Sequence, residues 1–153
     1  MYLNGSDGIT FKLEIVGYQF PDVEYGKYDS NWLLVCVSAS LPAGAWTVTD
    51  PCLLTYEVAR LADWLDDVAT GSEAANETGF VEPNLWFQVV RPGTGESCLR
   101  VYFELECRPP WAYRREAFGS DLFAEFALSD IDLHHAAESL RAQLSLYPQR
   151  AAC

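Results

Sequence analysis

The chain has 153 residues, half of them hydrophobic and 14% aromatic, and its 10 Lys and Arg face 22 Asp and Glu for a net charge of −12. A well-packed protein with that charge repels phosphate, which argues against nucleic acid and anionic membrane as partners and for something basic. The opening Met1–Gly8 has no basic stretch followed by an apolar one, so it does not read as a signal peptide, and no run approaches the roughly 18 apolar residues of a spanning helix. The expectation is a cytoplasmic protein forming one domain over residues 1–153. Its acidity is uneven, because the half up to Asn76 holds only Lys12, Lys27 and Arg60 as cations.

In chain order, Ile9, Phe11, Leu13 and Ile15 alternate with Thr10, Lys12 and Glu14, the pattern of a half-buried strand. Pro21 to Ser30 is polar and acidic and reads as a loop. Trp32 to Ser40 is almost wholly apolar and predicts a strand covered on both faces or close to it. Pro42-Ala43-Gly44 signals a turn, with Ala45 to Thr49 as the returning strand of a hairpin. Thr55 is placed to cap a helix that ends near Gly71. Val58, Leu61, Trp64, Leu65 and Val68 form its apolar stripe, and Asp63, Asp66 and Asp67 its wet side.

Gly71 to Gly79 reads as an exposed loop. Leu85, Phe87 and Val89 alternate, Arg91 to Glu96 turns the chain, and Leu99 to Cys107 alternates again, the clearest hairpin in the sequence. Arg108-Pro109-Pro110 ends it. Trp111 to Ser120 is irregular or a short helical piece, and Leu122 to Leu128 suggests another strand. A last helix starts from Ser129 or Asp130, carries Leu133, Ala136, Ala137, Leu140 and Leu144 on its apolar stripe, and stops at Pro148. Strands joined by hairpins, with two helices between and after them, predict an α+β fold: an antiparallel sheet of about six strands with two main helices packed on it.

Candidate chemistry is sparse. Five cysteines, Cys36, Cys52, Cys98, Cys107 and Cys153, form no CxxC pair and leave one unmatched, which fits reduced thiols better than a disulfide framework or zinc site. His134 and His135 are adjacent on the predicted helix, about 100° apart, and lack HExxH spacing. No metal or other cofactor is expected. Glu104 and Glu106 fall on one face of a predicted strand, as acid/base pairs do in some hydrolases, although a solvated sheet face explains them as well. Several aromatics lie beside acids instead: Tyr25, Tyr28 and Trp32 near Glu24 and Asp29, Trp64 near Asp63. Aromatic anchors ringed by acids suit a basic protein partner. The candidate binding residues are therefore Asp22, Glu24, Tyr25, Tyr28, Asp29, Asp63, Asp66 and Asp67.

Four segments carry a resemblance: Gly17-Tyr18-Gln19-Phe20-Pro21, Lys27 to Leu33 through Asn31-Trp32, Trp46 to Thr55 through Asp50-Pro51, and Phe80 to Leu85 through Glu82-Pro83-Asn84. Together with the Leu61-x-x-Trp64-Leu65 helix they resemble the WapI-type immunity proteins, from about Gly8 to Leu144. That resemblance implies a small bacterial protein that accompanies a contact-dependent polymorphic toxin and protects its producer by binding the toxin's C-terminal domain, in known cases an RNA-cleaving one. It implies no catalytic role for the shared residues. Tyr18, Phe20, Pro21, Asn31, Trp32, Asp50, Pro51, Glu82, Pro83 and Asn84 read as structure: turn formers that bond nearby backbone before a strand or helix. The alternatives are a binding module for some other basic protein, or a hydrolase using Glu104 and Glu106. A homodimer is left open by sheet edges and exposed aromatics.

Overall fold

The structure, a computed structural model, describes residues 1–72, 76–112 and 121–150. Strands β1 (Tyr2–Asn4), β2 (Thr10–Tyr18), β3 (Trp32–Leu41) and β4 (Gly44–Leu54) form one antiparallel sheet in chain order. Strands β5 (Glu77–Gly79), β6 (Leu85–Val90), β7 (Cys98–Phe103) and β8 (Phe123–Ala127) form a second. Helix α1 (Thr55–Ala69) joins the two sheets and α2 (Leu133–Leu146) follows the second. The α+β class and the antiparallel pairing are as expected, but among the described residues the strands number eight in two sheets rather than about six in one. The two extra strands, β1 and β5, are three residues long, too short for an alternating pattern to register.

The buried rows of the two sheets face each other. Phe11, Leu13 and Ile15 on β2 stand opposite Ala39, Val37 and Val35 on β3, and all six are buried. The Phe11 ring meets Phe87 of β6 edge-on at 5.9 Å, and Trp46 of β4 meets Phe103 of β7 at 4.9 Å. On the helices, Val58, Leu61, Leu65 and Val68 of α1 are buried with Leu133, Ala136, Ala137 and Leu140 of α2, each set at helical spacing. All belong to one hydrophobic cluster that spans both sheets and both helices.

Several boundaries differ from the sequence reading, each for a local reason. Strand β3 is fully covered on one face and partly on the other: Leu33, Val35 and Val37 are buried, and Leu34, Cys36 and Ser38 are half-buried. Strand β4 runs through Asp50-Pro51 to Leu54 instead of turning there. It is the last strand of its sheet, so the missing Pro51 N–H costs little, and the register slips by one residue at this point. Thr55 does not cap α1; its hydroxyl donates to Asn31 Oδ1 at 2.8 Å. Glu57 reaches back instead and accepts from the Leu54 amide at 3.0 Å. The cap of α2 is Asp132, which accepts from the His135 amide at 2.9 Å, not Ser129 or Asp130. Strand β7 stops at Phe103, where a short 3-10 turn over Leu105–Cys107 begins. Much of the expected irregular stretch Trp111–Ser120, part of the Gly71–Gly79 loop, and Cys153 lie outside the described residues.

The outer edge of β2 is covered beyond β1 by a side chain. Gln143 of α2 accepts from the Ile15 amide at 2.7 Å and donates to the Leu13 carbonyl at 3.3 Å, as a neighbouring strand would. Among the described residues, no helix is long and apolar enough to cross a membrane.

Candidate functional site

The loop between β2 and β3 holds five of the eight candidate residues, and its anchorage starts from one buried side chain. Asn31 is 1% exposed. Its amide nitrogen lies within hydrogen-bond reach of the Gly26, Lys27 and Arg150 carbonyls at 3.2, 3.3 and 3.1 Å, and of the Ser30 hydroxyl. Its amide oxygen accepts from Thr55 and from the Arg150 amide. Ser30 donates to the Gly26 carbonyl, and Gly26 supplies the positive φ, 118°, that this turn requires. From the far side, the Arg150 guanidinium donates to the Phe20 and Val23 carbonyls at 3.1 and 2.6 Å and stacks 3.7 Å over the Tyr18 ring. The loop is therefore held at both ends and across its middle.

What this frame presents outward is aromatic and acidic. Tyr25 is 63% exposed, Tyr28 48% and Phe20 40%. With Val23, they make four of the nine exposed large hydrophobics among the described residues, gathered within nine positions. Asp22, Glu24 and Asp29 are exposed beside them. No other described residue forms a hydrogen bond or ion pair with those three carboxylates. The one cation in the loop, Lys27, sits over the Tyr28 ring at 5.2 Å.

The other three candidates lie elsewhere. Asp63, Asp66 and Asp67 ride the later turns of α1, about 16 Å along the helix from Thr55 at 1.5 Å per residue. Arg141 of α2 donates to Asp66 at 2.6 Å and to Asp63 at 2.8 Å, and His134 pairs with Asp66 at 2.8 Å. Hydrogen bonds from Arg141 and then His134 hold the Asp66 carboxyl below its ordinary range. These two acids tie the helices together. Asp67 is exposed.

The motif residues pair with one another across the fold. Asn31 binds Thr55, so the second and third motif segments meet. Asn84, 2% exposed, donates to Asp50 at 3.2 Å and to Glu106 at 3.1 Å, so the third and fourth meet as well. Local turn chemistry was expected of these residues; Asp50 instead reaches a side chain on a distant loop. Partial burial, together with the charges of Glu106 and Glu82, pushes the Asp50 carboxyl up from its ordinary value. Tyr18 packs edge-on against Tyr147 at 5.8 Å, and Trp32 donates its amide to the Tyr28 carbonyl. Pro83 lines a cavity of about 330 Å³ with Phe80, Leu85 and Trp86. Phe20 and Pro21 are exposed.

The expected carboxylate pair does not form. Because β7 ends at Phe103 and Leu105 takes a positive φ of 48°, Glu104 and Glu106 no longer share a strand face. Glu104 is buried against Arg108 at 3.1 Å, while Glu106 is exposed and bound by Asn84. The two histidines also diverge, His134 to Asp66 and the His135 backbone to Asp132. Cys52 and Cys107 are buried, and the hydrogen bond of the Cys107 thiol with Cys52, plus burial, raises that thiol well above its ordinary value, away from the nucleophilic thiolate. Cys36 and Cys98 are only half-buried. Among the described residues no group of His, Cys, Asp and Glu is placed to hold a metal ion.

Arg150, Arg141 and Gln143 are functional partners that sequence patterns do not reveal. Each acts as a single residue at long range, with no periodicity or motif to mark it. The model of the family described as Immunity protein WapI-like matches residues 2–148. No curated protein and no solved structure matches the chain.

Proposed function

The chain belongs to the WapI-like immunity protein family, and from that premise we propose that it is a cytoplasmic binder of a basic toxin domain, a nuclease, which it neutralises by occupying it rather than by chemistry. An enzyme that cleaves nucleic acid needs a basic surface to hold phosphates, and a protein at −12 complements such a surface. The observation that carries the reading is the loop between β2 and β3. It is pinned by Asn31 and Arg150 and presents exposed tyrosines among three carboxylates that no other described residue engages. A surface fixed before binding loses less ordering entropy on association. The α1 acids contribute long-range attraction, with Asp63 and Asp66 partly offset by Arg141.

The test is co-expression with the variable C-terminal domain of a large secreted repeat protein encoded beside this gene. The expected result is restored growth, a stable one-to-one complex and loss of that domain's nucleic-acid cleavage. A toxin domain that kills and cleaves equally well with the protein present would overturn the proposal.

A further inference from the structure

We infer that the β2–β3 loop is built to take arginine side chains of its partner, with Tyr25 and Tyr28 as stacking faces and Asp22, Glu24 and Asp29 as acceptors. The inference rests on the proposed binding role of this loop and specifies its chemistry.

Three features point to guanidinium rather than to positive charge in general. First, the exposed rings and the carboxylates share one short stretch, with the two tyrosines flanked by acids, from Asp22 to Asp29. A guanidinium is planar, stacks on aromatic faces and donates in a fork to carboxylates at the same time; an ammonium is a compact, strongly hydrated point charge. Second, the protein already stacks a guanidinium on a tyrosine while it donates hydrogen bonds on the inner side of the same loop. Arg150 stacks on Tyr18 at 3.7 Å while one of its guanidinium nitrogens, Nη1, donates to the Phe20 and Val23 carbonyls. Third, a cation already rests on one outer ring. Lys27 lies 5.2 Å from the Tyr28 centroid, and among the described residues no carboxylate pairs with it. The Tyr28 face thus attracts cations, and Lys27 is a weak internal occupant that an incoming arginine displaces.

The geometry suits a projecting or extended segment of the partner. The rings are exposed, Tyr25 by 63% and Tyr28 by 48%, and form a surface, not a cleft, so side chains must be delivered to them. An arginine-bearing strand or loop of a basic domain does this.

The probes are two capped seven-residue peptides of equal charge, one all arginine and one all lysine, titrated by calorimetry at low salt and followed by the ring resonances of Tyr25 and Tyr28. The arginine peptide is expected to bind about threefold to tenfold more tightly. Tyr25→Ser with Tyr28→Ser should bring the two peptides to near parity while leaving the fold intact, since both rings are exposed. Asp22→Asn, Glu24→Gln and Asp29→Asn together should weaken both peptides. Lys27→Ala should strengthen the arginine peptide about twofold. Equal affinities in the unaltered protein, or an arginine preference that survives loss of both tyrosines, would overturn the inference. Such a failure leaves the toxin reading standing, because growth rescue by co-expression is read separately. Rescue failing while the arginine preference holds would instead mean a different basic partner at the same loop.

Discussion

The side chain of Asn31 and the backbone of Arg150 exchange two hydrogen bonds, at 2.9 and 3.1 Å, across 119 positions of sequence. The same asparagine reaches the acidic loop and the first residue of α1, so a single buried amide joins three segments. Asn31→Ala removes every one of these contacts and leaves the Thr55 hydroxyl and loop carbonyls without their partner. It should cost about 2–4 kcal/mol in urea unfolding.

Arg150→Ala tests the other half of that junction. It should cost only about 1 kcal/mol globally, since its donors serve carbonyls at the surface. The local effect is larger: exchange of the Val23 amide, which donates to the Phe20 carbonyl at 3.2 Å, should accelerate while amides of β3 stay protected. Hydrogen exchange measured by NMR separates the two.

Glu57 is 1% exposed and its carboxylate accepts two backbone amides, Leu54 at 3.0 Å and Val81 at 2.8 Å. It thereby fastens the start of α1 to the loop before β6. Glu57→Gln keeps the size and an acceptor oxygen, but sets an amide NH₂ against one of the two donors. A loss of about 1–3 kcal/mol is expected by denaturant titration, with Glu57→Ala at or beyond the upper end.

Arg108 is buried between Glu104, at 3.1 Å, and Asp121, at 2.6 Å. Arg108→Met removes the guanidinium while its carboxylate partners remain, and should cost about 3–5 kcal/mol. Replacing Arg108 and Glu104 together by apolar residues should recover much of that loss, which thermal unfolding of the single and double variants will show.

Asp50 gives the pH dependence a definite sign. Its folded carboxyl holds a proton to higher pH than in the unfolded chain, because of partial burial and the neighbouring Glu106 and Glu82, with Asn84 as its hydrogen-bond donor. The native state therefore binds more protons than the unfolded state between the ordinary aspartate value and the raised one. This contribution is present below the ordinary value and is lost as pH rises through the raised one. Asp50→Asn should thus be more stable than the unaltered protein at pH 7, with the advantage vanishing toward pH 3. Melting temperatures across that range check it.

Much of this fold was legible in the sequence because burial follows simple periods. Alternation placed β2, β6 and β7, and the apolar stripes placed both helices. Strands of three residues left no such trace, and Pro51 hid the end of β4 because its position at a sheet edge is a tertiary fact. The carboxylate pair at Glu104 and Glu106 was a false extrapolation of a strand past Phe103. Nothing in the alternation reveals that Leu105 leaves the extended region. Composition marked the stretch that carries Tyr25 and Tyr28 as a polar, acidic loop, which it is. It could not show that Asp63 and Asp66 are engaged by Arg141, since that contact joins two helices far apart in the chain.

The central claim is that an acidic, preformed surface captures a basic toxin domain. Its most direct test is the association rate with that domain by stopped flow, at about 0.05 and 0.5 M salt, for the unaltered protein and for the combined Asp22→Asn, Glu24→Gln, Asp29→Asn variant. Electrostatic steering brings the low-salt rate toward the order of 10⁸ M⁻¹s⁻¹. The account predicts a fall of at least about tenfold at high salt, and a variant that is several-fold slower at low salt with a flatter salt dependence. A rate that ignores salt, or a variant that associates as fast as the unaltered protein at both concentrations, would contradict it.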